Sequence, residues 1–174
     1  MTHVSDRLNR LSESATLAMA RMSRELKAEG HDVIALSLGE PDFDTPDFVK
    51  EAAKSAVDNN FSHYTPVPGL PELRQAIANK LKRDNGLEYT ADQIVTSTGA
   101  KQSLANVCLS LLNPGDEVLL PAPYWVSYFE IIKLAEGTPI ELPTSIESDF
   151  KVTPEQLEAA ITPKTKMLLF STPC

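Results

Sequence analysis

From residue 93 onward, short apolar runs alternate with longer amphipathic ones, and this alternation restricts the possible folds more than any other feature of the chain. Residues 93–97, 117–120, 138–142 and 166–171 read as strands. Residues 100–112, 125–134 and 154–161 read as helices, the last opened by Pro154 behind a Thr153 cap. Asn113-Pro114-Gly115-Asp116 reads as a turn. A strand followed by a helix and another strand returns parallel to the first, so the expected class is α/β: a mostly parallel sheet with helices on both faces.

The first half of the chain is patterned differently. Residues 14–30 read as a helix with Met19, Met22 and Leu26 on one face and Gly30 just past its end. Residues 33–38 read as a short strand, broken by Gly39-Glu40-Pro41-Asp42. Pro46, after Thr45 as cap, starts a helix through about residue 57. Residues 59–69 are loop, and residues 70–85 are amphipathic, with Leu73, Ile77 and Leu81 in line before Gly86. The change of pattern near Asp44 suggests an N-terminal arm over 1–45 and a sheet domain over 46–174.

Composition narrows the function. With 42% hydrophobic residues, 174 residues suffice for a real core. A net charge of −8 argues against a broad surface for nucleic acid or anionic membrane. Cys108 and Cys174 make neither a disulfide framework nor a metal spacing, and Cys108, in an apolar run, reads as a buried thiol. No apolar stretch approaches the ~20 residues of a membrane helix, and residues 1–10 carry no secretory h-region, so a cytoplasmic protein is expected. The run 166–171 enters a turn at Thr172-Pro173-Cys174, which leads to the expectation that these residues are the front portion of a longer protein whose remaining strands complete the sheet.

Four stretches invite chemistry. In Thr98-Gly99-Ala100-Lys101-Gln102 a strand gives way to a helix, whose first N–H groups and dipole suit an anion while Gly99 permits close approach. Pro121-Ala122-Pro123-Tyr124-Trp125 follows a strand's carboxyl end, where ligands sit in open α/β sheets, and Trp125 can stack on a flat aromatic ligand. The Gly39 amide, within Ser37-Leu38-Gly39-Glu40-Pro41, can meet a carboxylate, and the Tyr64 phenol can donate to a phosphate. Each has a plain structural alternative: a strand–helix junction, a core Trp, a turn and a packed loop Tyr.

Taken in order and with their spacing, these stretches resemble the class I/II aminotransferases, the aspartate-aminotransferase-like branch of the fold-type-I pyridoxal-phosphate enzymes. Asn113-Pro114-Gly115-Asp116-Glu117-Val118 and Leu73-Arg74 add to the match, and Pro123-Tyr124-Trp125-Val126-Ser127-Tyr128 resembles the bacterial aspartate aminotransferase subgroup. The resemblance covers nearly everything from Ser14 onward. It departs at Ser171-Thr172-Pro173, where the family commonly has Asn-Ser-Pro.

The resemblance implies roles. Gly99 and the main-chain amides of Ala100 and Lys101 match the cofactor's phosphate cup. Trp125 matches the ring stacked on the pyridine, and Gly39 the contact to the substrate carboxylate. Tyr64 matches a tyrosine reaching the other subunit's cofactor, which implies a homodimer with shared sites. The lysine that carries the cofactor, the Asp facing its ring nitrogen and the Arg that grips the substrate all match positions beyond 174, so no catalytic residue is expected within these residues. The implied activity is amino-group transfer between an amino acid, aspartate by subgroup, and a 2-oxo acid. The alternatives are another fold-type-I enzyme, a C–S lyase or a cyclising synthase, and a non-catalytic binding domain of the same fold.

Overall fold

A computed structural model describes residues 3–172; Pro173 and Cys174, read above as part of a turn, lie outside the described residues, as do Met1 and Thr2. In chain order the helices are α1 (Asp6–Asn9), α2 (Ala15–Ala28), α3 (Asp47–Asp58), α4 (Pro71–Asn85), α5 (Ala100–Leu111), α6 (Val126–Leu134) and α7 (Pro154–Ala160). The strands are β1 (Glu117–Pro121), β2 (Thr138–Leu142) and β3 (Thr165–Leu168). The chain forms two compact units, one of Met1–Leu38 with Gly99–Cys174 and one of Gly39–Thr98.

The first unit holds the sheet. Its strands lie in the order β2-β1-β3, and both pairings are parallel. Helix α6 makes the crossover from β1 to β2, and α7 the crossover from β2 to β3. Strand β1 is central, so Val118, Leu119 and Leu120 are buried in succession instead of alternating with polar residues. Val118, Leu120, Cys108, Leu112, Ile132 and Ala135 form the core between β1, α5 and α6. Each large aliphatic side chain there contributes about 1.5–3 kcal/mol of burial.

Helix ends follow the expected chemistry. Gly30, at φ +92, terminates α2: its N–H bonds to the Lys27 carbonyl while His31 N–H bonds to that of Leu26. Gly86 ends α4 in the left-handed conformation, and the Thr153 hydroxyl accepts from Gln156 N–H at the start of α7.

Four expectations need correction. Residues 33–38 form no strand, because no described segment offers them a ladder; Ile34 and Leu36 are exposed instead. Residues 93–97 also form no strand. Ala91–Gln93 is a 3₁₀ turn, and Thr96 N–H bonds to the Pro68 carbonyl at 3.0 Å, so that donor is committed to a loop. Pro46, not Thr45, is the N-cap of α3, without a side-chain cap bond. Strand β3 starts at Thr165 and ends at Leu168, three residues short of the expected limit.

Candidate active site

In the first unit, α5 begins directly behind Gly99, whose φ of +85 lies in the left-handed region that favours glycine. A Cβ there would meet nothing within 4 Å, so the backbone is approachable from outside. No side chain caps the helix and no acidic residue stands in its first turn. The Gly99 carbonyl accepts from Gln102 N–H at 3.2 Å and Ser103 N–H at 3.4 Å, so Ala100 and Lys101 supply the amides that precede the helical ladder. Both residues are exposed.

Trp125 is the N-cap of α6, five residues after the β1 strand leaves its last buried position, Leu120. Its surroundings are tied to the carboxyl end of β2. Ala122 N–H donates to the Leu142 carbonyl at 2.9 Å, and the Thr144 hydroxyl donates to the Ala122 carbonyl. The Ala122–Pro123 peptide is cis. Tyr124 lies parallel to Phe129, ring centroids 6.3 Å apart, and its phenol donates to Glu141 Oε2 at 2.6 Å. Burial, and next the Glu141 carboxylate, push that phenol up to about 12. Trp125 is 40% exposed as a residue, and Lys101 Nζ stands 5.3 Å from its ring centroid. The cup and the Trp, read separately in the sequence, are therefore neighbours.

Two hollows flank this region. One, of about 540 Å³, opens at the carboxyl ends of β1 and β3 and is lined by Pro121, Ala122, Phe150, Leu168 and Phe170 among others. The other, of about 620 Å³, lies between residues 11–15 and the helices α5 and α6, with Lys101, Ala105, Tyr124 and Phe129 in its wall. The N-terminal segment is held there by charge. Arg7 and Arg10 both reach Glu136, at 3.4 and 3.0 Å, and Ser12 N–H donates to Glu130 at 3.1 Å. The two guanidiniums, Arg10 foremost, hold the Glu136 carboxyl below the usual range.

The second unit carries the other two candidates. Gly39 has nothing within 4 Å of an added Cβ, and Tyr64 is fully exposed. Their unit is braced by Arg74, whose Nε donates to the Ala91 and Ile94 carbonyls at 2.9 and 3.1 Å and whose Nη2 pairs with Asp92 at 3.0 Å. Gly69, at φ +102, presses on Thr96; a Cβ there would come within 2.1 Å of its hydroxyl oxygen. The candidates thus fall into two sets, Gly99, Ala100, Lys101 and Trp125 in one unit, Gly39 and Tyr64 in the other.

Sequence reasoning gave no role to Tyr124, Glu141 or Glu136. A carboxylate among the aliphatic residues of the run Thr138-Pro139-Ile140-Glu141-Leu142 was the one available signal. Among the described residues no cluster of His, Cys, Asp and Glu suits a metal ion, and no helix is long and apolar enough to cross a membrane.

Comparison with known proteins bears on the family and the fold. The family described as aminotransferase class I and II matches residues 31–174. The chain is 54% identical over 173 residues to the aspartate/prephenate aminotransferase of Cereibacter sphaeroides, covering 99% of this chain and 43% of the relative. It is 49% identical over 170 residues to the corresponding protein of Nitrosomonas europaea, covering 98% and 43%. Among solved structures, the aspartate aminotransferase of Rhizobium meliloti superposes with a TM-score of 0.95 at 43% identity, over 99% of this chain and 43% of that one. The Thermus thermophilus aspartate aminotransferase with maleate gives 0.90 at 45% identity, over 97% and 44%. The chain thus spans less than half the length of the relatives it matches. With the family matched across most of its length and its fold shared with solved members, the chain belongs to the class I and II aminotransferases.

Proposed function

We propose that the whole protein transfers an amino group between aspartate and a 2-oxo acid with pyridoxal phosphate as cofactor, and that this chain contributes the phosphate cup and the aromatic shelf. The observation that carries the reading is the opening of α5: an uncapped helix start behind a left-handed Gly99, beside the exposed Trp125 ring. The residues fit the group. Uncapped amides with no nearby first-turn carboxylate suit a phosphate, and open space at Gly99 lets it approach. A part-exposed indole suits a flat heteroaromatic ring.

In this reading the amides of Ala100 and Lys101 bind the phosphate, which Gly99 lets approach closely, and fix the cofactor's depth. Trp125 orients its ring, and the Tyr124–Glu141 bond orients Trp125. The Gly39 amide binds the substrate carboxylate. Tyr64, exposed in this chain, reaches the phosphate bound by a second copy, so the working unit is a homodimer with shared sites. When bound, pyridoxal phosphate supplies the electron sink for amino-group transfer. The arm over 1–45, the sheet domain over 46–174 and a cytoplasmic location belong to the same proposal.

The names of the relatives favour aspartate as donor and add prephenate as a second 2-oxo acid to test. The experiment is a transaminase assay of the whole protein with aspartate against 2-oxoglutarate and against prephenate. Amino-group transfer from aspartate is expected. β-Elimination or cyclisation in place of transfer would replace this reading with the lyase or synthase alternative, and cofactor binding without turnover would favour a binding domain. Residues 1–174 by themselves are expected to give no turnover, because the family's cofactor-bearing lysine matches a later position.

A further inference from the structure

We propose that Asn85 and Gly86, at the carboxyl end of α4, form a site of spontaneous modification: Asn85 deamidates through a cyclic imide, and the helix cap sets the rate.

Within residues 1–174, Asn85 alone among the asparagines is followed by glycine; the others precede Arg10, Asn60, Phe61, Lys80, Val107 and Pro114. The reaction is attack by the following amide nitrogen on the side-chain carbonyl carbon. A Cβ on the following residue crowds that approach, and Gly86 has none. The bond that forms joins Gly86 N to Asn85 Cγ. The bond that breaks releases Nδ2, which departs as ammonia with the Gly86 amide proton. Water then opens the five-membered imide. Opening at the side-chain carbonyl leaves aspartate, and opening at the main-chain carbonyl leaves isoaspartate.

Folded α4 holds the reacting atoms apart. Asn85 is its last residue, and closing the ring requires a ψ outside the helical range. Gly86, at φ 66 and ψ 18, donates its N–H to the Leu81 carbonyl, and Leu87 N–H donates to the same carbonyl at 3.1 Å. The Asn85 carboxamide is drawn back over the preceding turn, where its Oδ1 accepts from Lys80 Nζ at 2.7 Å. All of these bonds lie within residues 80–87, so the arrangement is set locally and not by what packs elsewhere. Access of water follows from the charges around it. Lys82 pairs with Glu88 at 2.9 Å and Arg83 with Asp84 at 2.6 Å, and such a segment stays in water. A last helical turn frays far more readily than a fold opens, so the frayed turn is the reactive state.

The product marks the unit Gly39–Thr98 in one direction. Isoaspartate adds a carbon to the main chain before Gly86, which takes the Gly86 and Leu87 amides out of line with Leu81. Aspartate sets a second carboxylate beside Asp84 at the helix's negative end.

The test incubates the whole protein, folded and in denaturant, in water enriched in heavy oxygen, and weighs the peptides after digestion. In the folded protein Asn85 is expected to convert ahead of the other asparagines of residues 1–174, with label taken up and both aspartyl and isoaspartyl peptides present. In denaturant its conversion is expected to be roughly 5- to 100-fold faster, the factor that two cap hydrogen bonds represent. Isoaspartyl protein is expected to exchange its Gly86 and Leu87 amides faster than Asn85→Gln, whose longer side chain does not close the five-membered ring.

Folded protein in which Asn85 converts no faster than Asn59 overturns the proposal. Aspartate without isoaspartate also overturns it, since that is direct hydrolysis with no imide. Equal rates in folded and denatured protein overturn it as well, because the cap then gates nothing.

Discussion

The Tyr124 phenol donates to Glu141 over 2.6 Å, which anchors the residue preceding Trp125 to the outer strand β2. Burial is the larger cause of that phenol's rise to about 12, and the Glu141 carboxylate the next. Tyrosinate absorbance is therefore expected to show a group titrating well above the ordinary value near 10, absent in Tyr124→Phe. Glu141→Gln should bring it down only in part, because burial remains. The sign for stability follows. The folded-state value is raised, so the contribution is complete below pH ~10 and is lost as pH rises through about 12. Thermal melts of the parent and Tyr124→Phe should separate in their pH dependence only in that alkaline window. A Tyr124 that titrates normally contradicts the tether.

Arg7 and Arg10 converge on Glu136, a half-buried residue in the left-handed conformation at φ 65. Its carboxyl is held below its usual range, so this clamp is complete above the ordinary glutamate value and is lost as pH falls through the lowered one. Hydrogen exchange across residues 5–12 should quicken in Glu136→Gln, at acid pH and at high salt. Global stability should change little, since exposed ion pairs contribute little. Unaltered exchange in Glu136→Gln would show that apolar contacts alone hold the segment.

Gly69→Ala should destabilise the unit Gly39–Thr98 by about 2–4 kcal/mol, from a strained positive φ together with overpacking. The new Cβ would press on the hydroxyl, methyl and Cβ of Thr96 at 2.1, 3.0 and 3.1 Å, and a β-branched side chain has little room to turn aside. Thr96→Ala in the same chain should recover part of the loss and leave the backbone strain. Denaturant unfolding reads both, and a neutral Gly69→Ala would contradict the close approach.

Ile132→Ala empties a fully buried position facing β1 and α5, and should cost about 2–5 kcal/mol in the same assay. A smaller loss would mean that the core collapses around the gap.

How much of this was legible in the sequence depends on how local the cause is. Gly30, Gly86 and Thr153 act on their own helix ends, and all three were readable. The apolar run Val118-Leu119-Leu120 was readable as a strand, while its central place in the sheet was not. Residues 33–38 and 93–97 have strand composition, but a strand exists only with a partner, and partner choice is not local. Thr96 bonds to Pro68, a residue that its own neighbourhood does not reveal. The site divides in the same way. Gly99 and Trp125 could be singled out because a strand–Gly–helix junction and a lone Trp after a strand are visible in one dimension. That Lys101 covers Trp125, and that Tyr124 finds Glu141 across seventeen positions, depends on how α5, α6 and β2 come together.

The central claim is that the α5 start and the Trp125 ring together bind pyridoxal phosphate. The most direct measurement is a titration of the whole protein with pyridoxal phosphate while following the emission of Trp125, isolated by difference against Trp125→Phe. Saturable quenching of that emission, weakened by competing inorganic phosphate and by Gly99→Val, is the predicted result. Binding that leaves Trp125 emission unchanged, or that is indifferent to phosphate and to Gly99→Val, would contradict it.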